Sequence, residues 1–185
     1  MKWLIVLLFV FNCAPGHAQQ PLSGEDFVNA VASLVVDSSF SRYYLFSDAT
    51  PCSFKKFDYD EWYKYGLKED VPVYILNELA KKSFEDAAPR YWQQQKLLNA
   101  VCIDEENAKA LFLPGEKKPG KHPVSFENKV VYYFSRPEFT DDYQYAVIDL
   151  GFRCDNRQCG MGATFLFKQV NGKWIVAGRK IAWGN

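Results

Sequence analysis

Asp149, Thr164 and Arg179 are the residues whose types and spacing best combine into one chemical constellation. A carboxylate, a hydroxyl and a guanidinium in one row can grip a polar ligand. In a pocket, the carboxylate can also move a proton. The row follows from strand register. Asn171-Gly172 favours the two-residue type I′ turn, whose twist suits a tight hairpin. That turn sets Val170 opposite Lys173, Phe167 opposite Val176 and Phe165 opposite Gly178. If Cys154 stands opposite Cys159 across the preceding loop, Leu150 faces Ala163, Ile148 faces Phe165 and Ala146 faces Phe167. Side chains alternate along a strand. One face then gathers Ala146, Ile148, Leu150, Phe165, Phe167, Trp174 and Val176. The other carries Tyr143, Tyr145, Val147, Asp149, Thr164, Leu166, Lys168, Ile175 and Arg179. On that second face Asp149, Thr164, Arg179 and Tyr145 are the candidate binding residues, with Asp149 the one catalytic candidate. The alternative is a cross-strand ion pair on a half-exposed sheet, which contributes little to stability.

Other reactive side chains are sparse. The chain has two histidines, and His122 is the only one beyond residue 18. H-E-x-x-H metalloprotease chemistry is therefore absent. His122 lies in Lys117-Lys-Pro-Gly-Lys-His-Pro123, a poor setting for a general base that needs fixed geometry. There is no G-x-S-x-G elbow, glycine-rich phosphate loop or EF-hand. Asp58-Tyr-Asp-Glu-Trp62 mixes acids with aromatics, as sugar sites do and as ordinary core edges do. Glu138, Asp141 and Asp142 could flank a cleft, but turn solvation accounts for them equally. Cys154-Asp-Asn-Arg-Gln-Cys159 is either a displayed epitope or a staple at a sheet edge.

Five cysteines occur, and Cys13 belongs to the N-terminal segment. The even remainder in an exported chain reads as two disulfides, Cys154–Cys159 and Cys52–Cys102. A four-thiolate zinc site is the rival, but Cys52 and Cys102 lack a C-x2-C knuckle. No metal and no cofactor are expected.

Export is read from the first eighteen residues. Lys2 precedes an apolar run, Trp3 to Phe11, and Gly16 and Ala18 stand at −3 and −1 of a cut before Gln19. This is a cleavable signal-peptide pattern. The run is much shorter than the roughly 20 residues that span a bilayer. Residues 1–18 are thus expected to be a signal peptide and 19–185 a single domain, secreted or periplasmic, with no membrane span. Without Lys2, 21 basic and 22 acidic side chains leave a formal charge of −1. That lacks the basic excess of a nucleic-acid binder.

The elements that must position these residues form an α+β domain. Ser23 and Asp26 read as a helix start, with Phe27, Ala30, Val31, Leu34 and Val35 at helical spacing over roughly 24–36. Phe40 to Tyr65 is dense in aromatics and fits strand or loop. Asp70-Val-Pro72 begins a second helix with Val73, Leu76, Leu79, Ala80 and Phe84 on its apolar stripe, ending at Ala88-Pro89. Lys96 to Ile103 reads as a strand, and Pro114 to Pro123 as a surface loop. Val130–Phe134, Tyr143–Phe152, Ala163–Val170 and Lys173–Trp183 read as strands. The expected fold is N-terminal helices packed on one face of a C-terminal antiparallel sheet of four or more strands.

Ser135-x-Pro137-x-Phe139, Tyr145-Ala146, Cys154, Cys159-Gly-x-Gly162, Asn171-Gly-Lys-Trp174 and Trp183 together resemble a recurrent tail of uncharacterised secreted bacterial proteins. The match covers about the last 55 residues and implies no activity. The order of elements is also similar to the nuclear transport factor 2-like fold, where helices pack on a curved antiparallel sheet ending in a glycine turn and a tryptophan strand. Some members of that superfamily are isomerases with a pocket acid, and Asp149 matches by strand position; others only bind. The expected function is a secreted, non-catalytic binding module for a small molecule, glycan or protein. The alternative is a carboxylate-dependent hydrolase or isomerase using Asp149.

Overall fold

The first described helix, α1 (Gly24–Val35), begins where Ser23 is extended and its Oγ accepts a hydrogen bond from the Asp26 N–H at 3.1 Å. This satisfies one of the donors that a helix start leaves orphaned. The computed structural model describes residues 22–36, 42–54, 62–68, 70–82, 90–112, 130–154 and 160–184. The expected signal peptide, Asp58–Glu61, the loop 114–123 with His122, and the side chains of the expected Cys154–Cys159 pair lie outside this description.

Among the described residues nine strands follow: β1 (Tyr43–Phe46), β2 (Asp48–Ala49), β3 (Arg90–Tyr91), β4 (Ala100–Ile103), β5 (Val130–Phe134), β6 (Glu138–Phe139), β7 (Tyr145–Cys154), β8 (Gly160–Val170) and β9 (Lys173–Gly184). Among the described residues two further α-helices are α2 (Val73–Lys82) and α3 (Glu105–Phe112), and Trp62–Gly66 forms a π-helical turn. The fold is α+β. Its main sheet has seven strands in the order β4-β1-β5-β7-β8-β9, with β6 also on β7. The sheet is mixed rather than antiparallel, because β1 runs parallel to both β4 and β5. The expected strand over 96–103 is shorter: residues 94–96 form a 3-10 turn, and Asn99 at φ 60° interrupts the chain before β4. Likewise Tyr143 sits in a turn at φ 54°, so β7 starts at Tyr145.

Both faces of the sheet are covered, not one. Phe27, Val28 and Val31 of α1 pack with Ala146, Ile148, Leu150, Phe165, Phe167 and Trp174. Ile75, Leu76, Leu79 and Ala80 of α2 pack with Val147, Leu166 and Ala177 on the opposite face. Phe27 has no exposed surface and meets Phe139, Phe167 and Trp174 edge-on. Burying one such ring contributes about 1.5–3 kcal/mol. Asn29 fastens α1 to the neighbouring loop, donating to the Lys96 carbonyl at 2.8 Å and accepting from the Leu98 N–H at 2.7 Å.

The two sheet edges are each partly closed. On β4 the Gln94 side-chain amide donates to the Ala100 carbonyl and accepts from the Cys102 N–H. On β9, Leu67 bridges Gly178 and the Lys68 N–H donates to the Ala177 carbonyl. Open edges invite pairing with other chains, so such covers guard against aggregation.

Candidate functional site

Asn171 and Gly172 both take positive φ, 51° and 75°, as a type I′ turn requires. The hairpin register from that turn holds as far as Phe167 opposite Val176. There it slips. Leu166 pairs with Gly178 and Phe165 with Arg179, because Ala177 is an extra residue in β9. A β-bulge of this kind flips the side chains beyond it to the other face. Arg179 therefore leaves the Asp149–Thr164 row, where Lys180 now stands opposite Thr164, and lies over the Phe165 ring at 6.0 Å. The expected Asp149–Thr164–Arg179 row is thus corrected to a pair.

That pair is real and tight. Asp149 stands opposite Thr164, whose Oγ1 donates to Asp149 Oδ1 at 2.6 Å. The second oxygen accepts from the Ser53 N–H at 2.5 Å. The Asp149 N–H donates to Ser135 Oγ at 2.8 Å, and the Asp149 carbonyl accepts from the Ser135 N–H. The Arg136 N–H in turn reaches the Thr50 carbonyl at 2.7 Å. Asp149 is thereby stitched between two strands and the 50–53 segment. Tyr145 lies farther along the same face, separated from Asp149 by buried Val147, and packs half-buried against the α2 cluster.

The cysteine expectation changes as well. Cys52 and Cys102 are free thiols. Cys52 is buried on the α2 face, whereas Cys102 packs on the α1 face, so the sheet separates them. Burial, then the charge of Asp149, pushes the Cys52 thiol well above its ordinary range. It stays protonated and is a poor nucleophile. Burial and the charge of Glu25 raise Cys102 too.

The acids after β6 build a turn. Asp142 Oδ1 accepts from Thr140 Oγ1 at 2.6 Å and from the Gln144 N–H at 3.0 Å. Asp141 pairs with Lys82 of α2 at 2.6 Å. That hydrogen bond and charge hold the Asp141 carboxyl below its usual range.

The bulge does create a different site. A cleft of about 620 Å³ opens where β9 leaves α1 and meets the segment after the π-helical turn. Leu34, Leu67, Phe165, Val176 and Ile181 form its apolar walls, and Lys68, Arg179 and Lys180 its cationic ones. No acidic side chain is among the described lining residues. Gly178 permits this arrangement: a Cβ there would come within 2.9 Å of the Gly66 carbonyl oxygen and 3.1 Å of the Trp62 ring. Alternation along the strand did not point to Leu34, Leu67 or Lys68. A glycine inside a strand was the available signal, since such glycines mark bulges and close backbone approach.

Compared with protein-family models, with curated proteins and with solved structures, the chain matches none.

Proposed function

We propose that this chain is an exported, non-catalytic binding module whose ligand is a small molecule held in the cleft between α1 and β9. One contrast carries the reading. The carboxylate best placed for chemistry, Asp149, spends both oxygens on holding Thr164 and the Ser53 backbone. The cleft instead presents apolar walls beside exposed cations. Its volume falls in the range of small-molecule sites, which combine apolar walls with a few polar groups. A hydrolase or isomerase built on Asp149 would need that carboxylate available to substrate, and the two donors on it favour the binding reading. Helix-first order and the Asn171-Gly172 turn into a tryptophan strand support a likeness to the nuclear transport factor 2-like fold, from which the parallel β1 departs.

The test is native mass spectrometry of protein purified from its own source without stripping ligands. Wild type is expected to carry an added small-molecule mass. The double variant Leu34→Ser, Ile181→Ser removes two exposed walls, 48% and 54% accessible, without disturbing the core. It is expected to lose that mass. An added mass that survives in the double variant would place the ligand elsewhere.

A further inference from the structure

The cleft has a chemical sign. Arg179 and Lys68 are exposed at its mouth. Among the described residues no carboxylate forms an ion pair with Arg179. Its guanidinium lies over Phe165, a ring only 6% exposed that forms the floor. The planar fork of N–H donors on a guanidinium suits a bidentate acceptor, and a carboxylate matches that fork. Beyond the cations, exposed Leu34 and Ile181 continue the apolar wall. Head and tail preferences therefore adjoin within one cavity.

We propose that the ligand is a single-chain amphipathic carboxylate, of which a free fatty acid is the simplest form. Its head pairs with Arg179, assisted by Lys68, and its chain lies along Leu34, Phe165 and Ile181. This rests on the binding reading above and adds the charge and shape of the ligand. The bulge at Ala177 is what makes it possible, because it brings Arg179 onto the same face as Phe165.

Isothermal titration with monomeric decanoate, decyltrimethylammonium, decanol and acetate tests it on the full mature chain. Decanoate is expected to bind one to one, and acetate and decyltrimethylammonium are expected not to bind. Arg179→Gln should weaken decanoate by about tenfold, as losing one charge-assisted hydrogen bond does, and Arg179→Lys should recover part of this. Because Arg179 is exposed, the circular dichroism of both variants should match wild type. Raised salt should also weaken binding, since the cations face solvent. Equal binding of the three decyl probes, unchanged by Arg179→Gln but lost in the Leu34→Ser, Ile181→Ser variant, would overturn the carboxylate while leaving the cleft as a binding site. Binding of no decyl probe would overturn the amphiphile. Binding only to phosphatidylglycerol vesicles, never to monomeric decanoate, would overturn it in favour of a membrane surface.

Discussion

Tyr43 shows how one atom in the aromatic cluster affects the balance of stability. It is 5% exposed, and among the described residues its hydroxyl has no hydrogen-bond partner. An unpartnered buried hydroxyl costs about 1–3 kcal/mol. Burial, then the nearby charges of Cys102 and Tyr132, raises its ionisation to about 12. An unfolded tyrosine ionises near 10. Between those values the unfolded chain releases a proton that the folded chain retains, so folding stability falls as pH rises through that window. Tyr43→Phe is expected to leave stability at neutral pH equal or higher by about 1 kcal/mol and to flatten the alkaline loss. Urea melts at neutral pH and across the alkaline range check both, and a loss above about 1 kcal/mol would reveal a partner for the hydroxyl. Asp149 is the contrasting residue. The sequence placed it correctly opposite Thr164, because setting Cys154 opposite Cys159 across a short loop fixes the β7–β8 register and strand alternation does the rest. The Ser53 N–H that occupies its second oxygen comes from 96 positions away, which no local pattern encodes.

At the scale of elements, the bulge in β9 governs where Arg179 points, and Gly178 permits it. A methyl at 178 would press on the Gly66 carbonyl, part of the backbone, as well as on Trp62. Gly178→Ala should therefore destabilise by about 1–3 kcal/mol, the usual cost of overpacking. Chemical denaturation measures this, and an unchanged midpoint would mean that the 62–67 segment moves aside freely. The apolar face of Ala146, Ile148, Leu150, Phe165, Phe167 and Trp174 was legible because period-two spacing and a strong turn agree. Arg179 was misplaced because counting from the turn assumes an unbroken ladder. Helix α3 was missed although Asp104 supplies its cap, with Oδ1 accepting from the Asn107 N–H at 2.7 Å. Only Ala108 of α3 is fully buried, so its apolar stripe is too thin to read.

At the scale of the whole molecule, α2 is tied to β6 and the turn after it by Lys82, which donates to the Phe139 carbonyl at 2.7 Å and pairs with Asp141. Burial draws the Lys82 ammonium down, but the hydrogen bond and charge of Asp141, with Glu78, outweigh it and leave it raised. Asp141 is correspondingly lowered. The unfolded chain therefore protonates Asp141 first, and this tether stabilises above the ordinary carboxylate range and weakens as pH falls through it. Thermal melts from pH 7 to about 3 should show a smaller acid loss in Asp141→Asn than in wild type. Identical acid profiles would mean the pair contributes nothing. Among the described residues, no helix is long and apolar enough to cross a membrane. The mixed topology was not legible, because the placement of β1 between β4 and β5 depends on partners far along the chain.

That placement also sets an order of events. The three long strands β7, β8 and β9 join through neighbouring hairpins and can zip together soon after they meet. β1 must wait for β4 and β5, the latter beginning only at Val130, before it has a neighbour on each side. The Leu67 cover of the β9 edge likewise waits for Gly178, more than a hundred positions on. Pairings this distant slow folding. A chain delivered N-terminus first could thus pair β1 with β4 once Ala100–Ile103 had arrived, but β1 would lack its second neighbour until Val130–Phe134 followed.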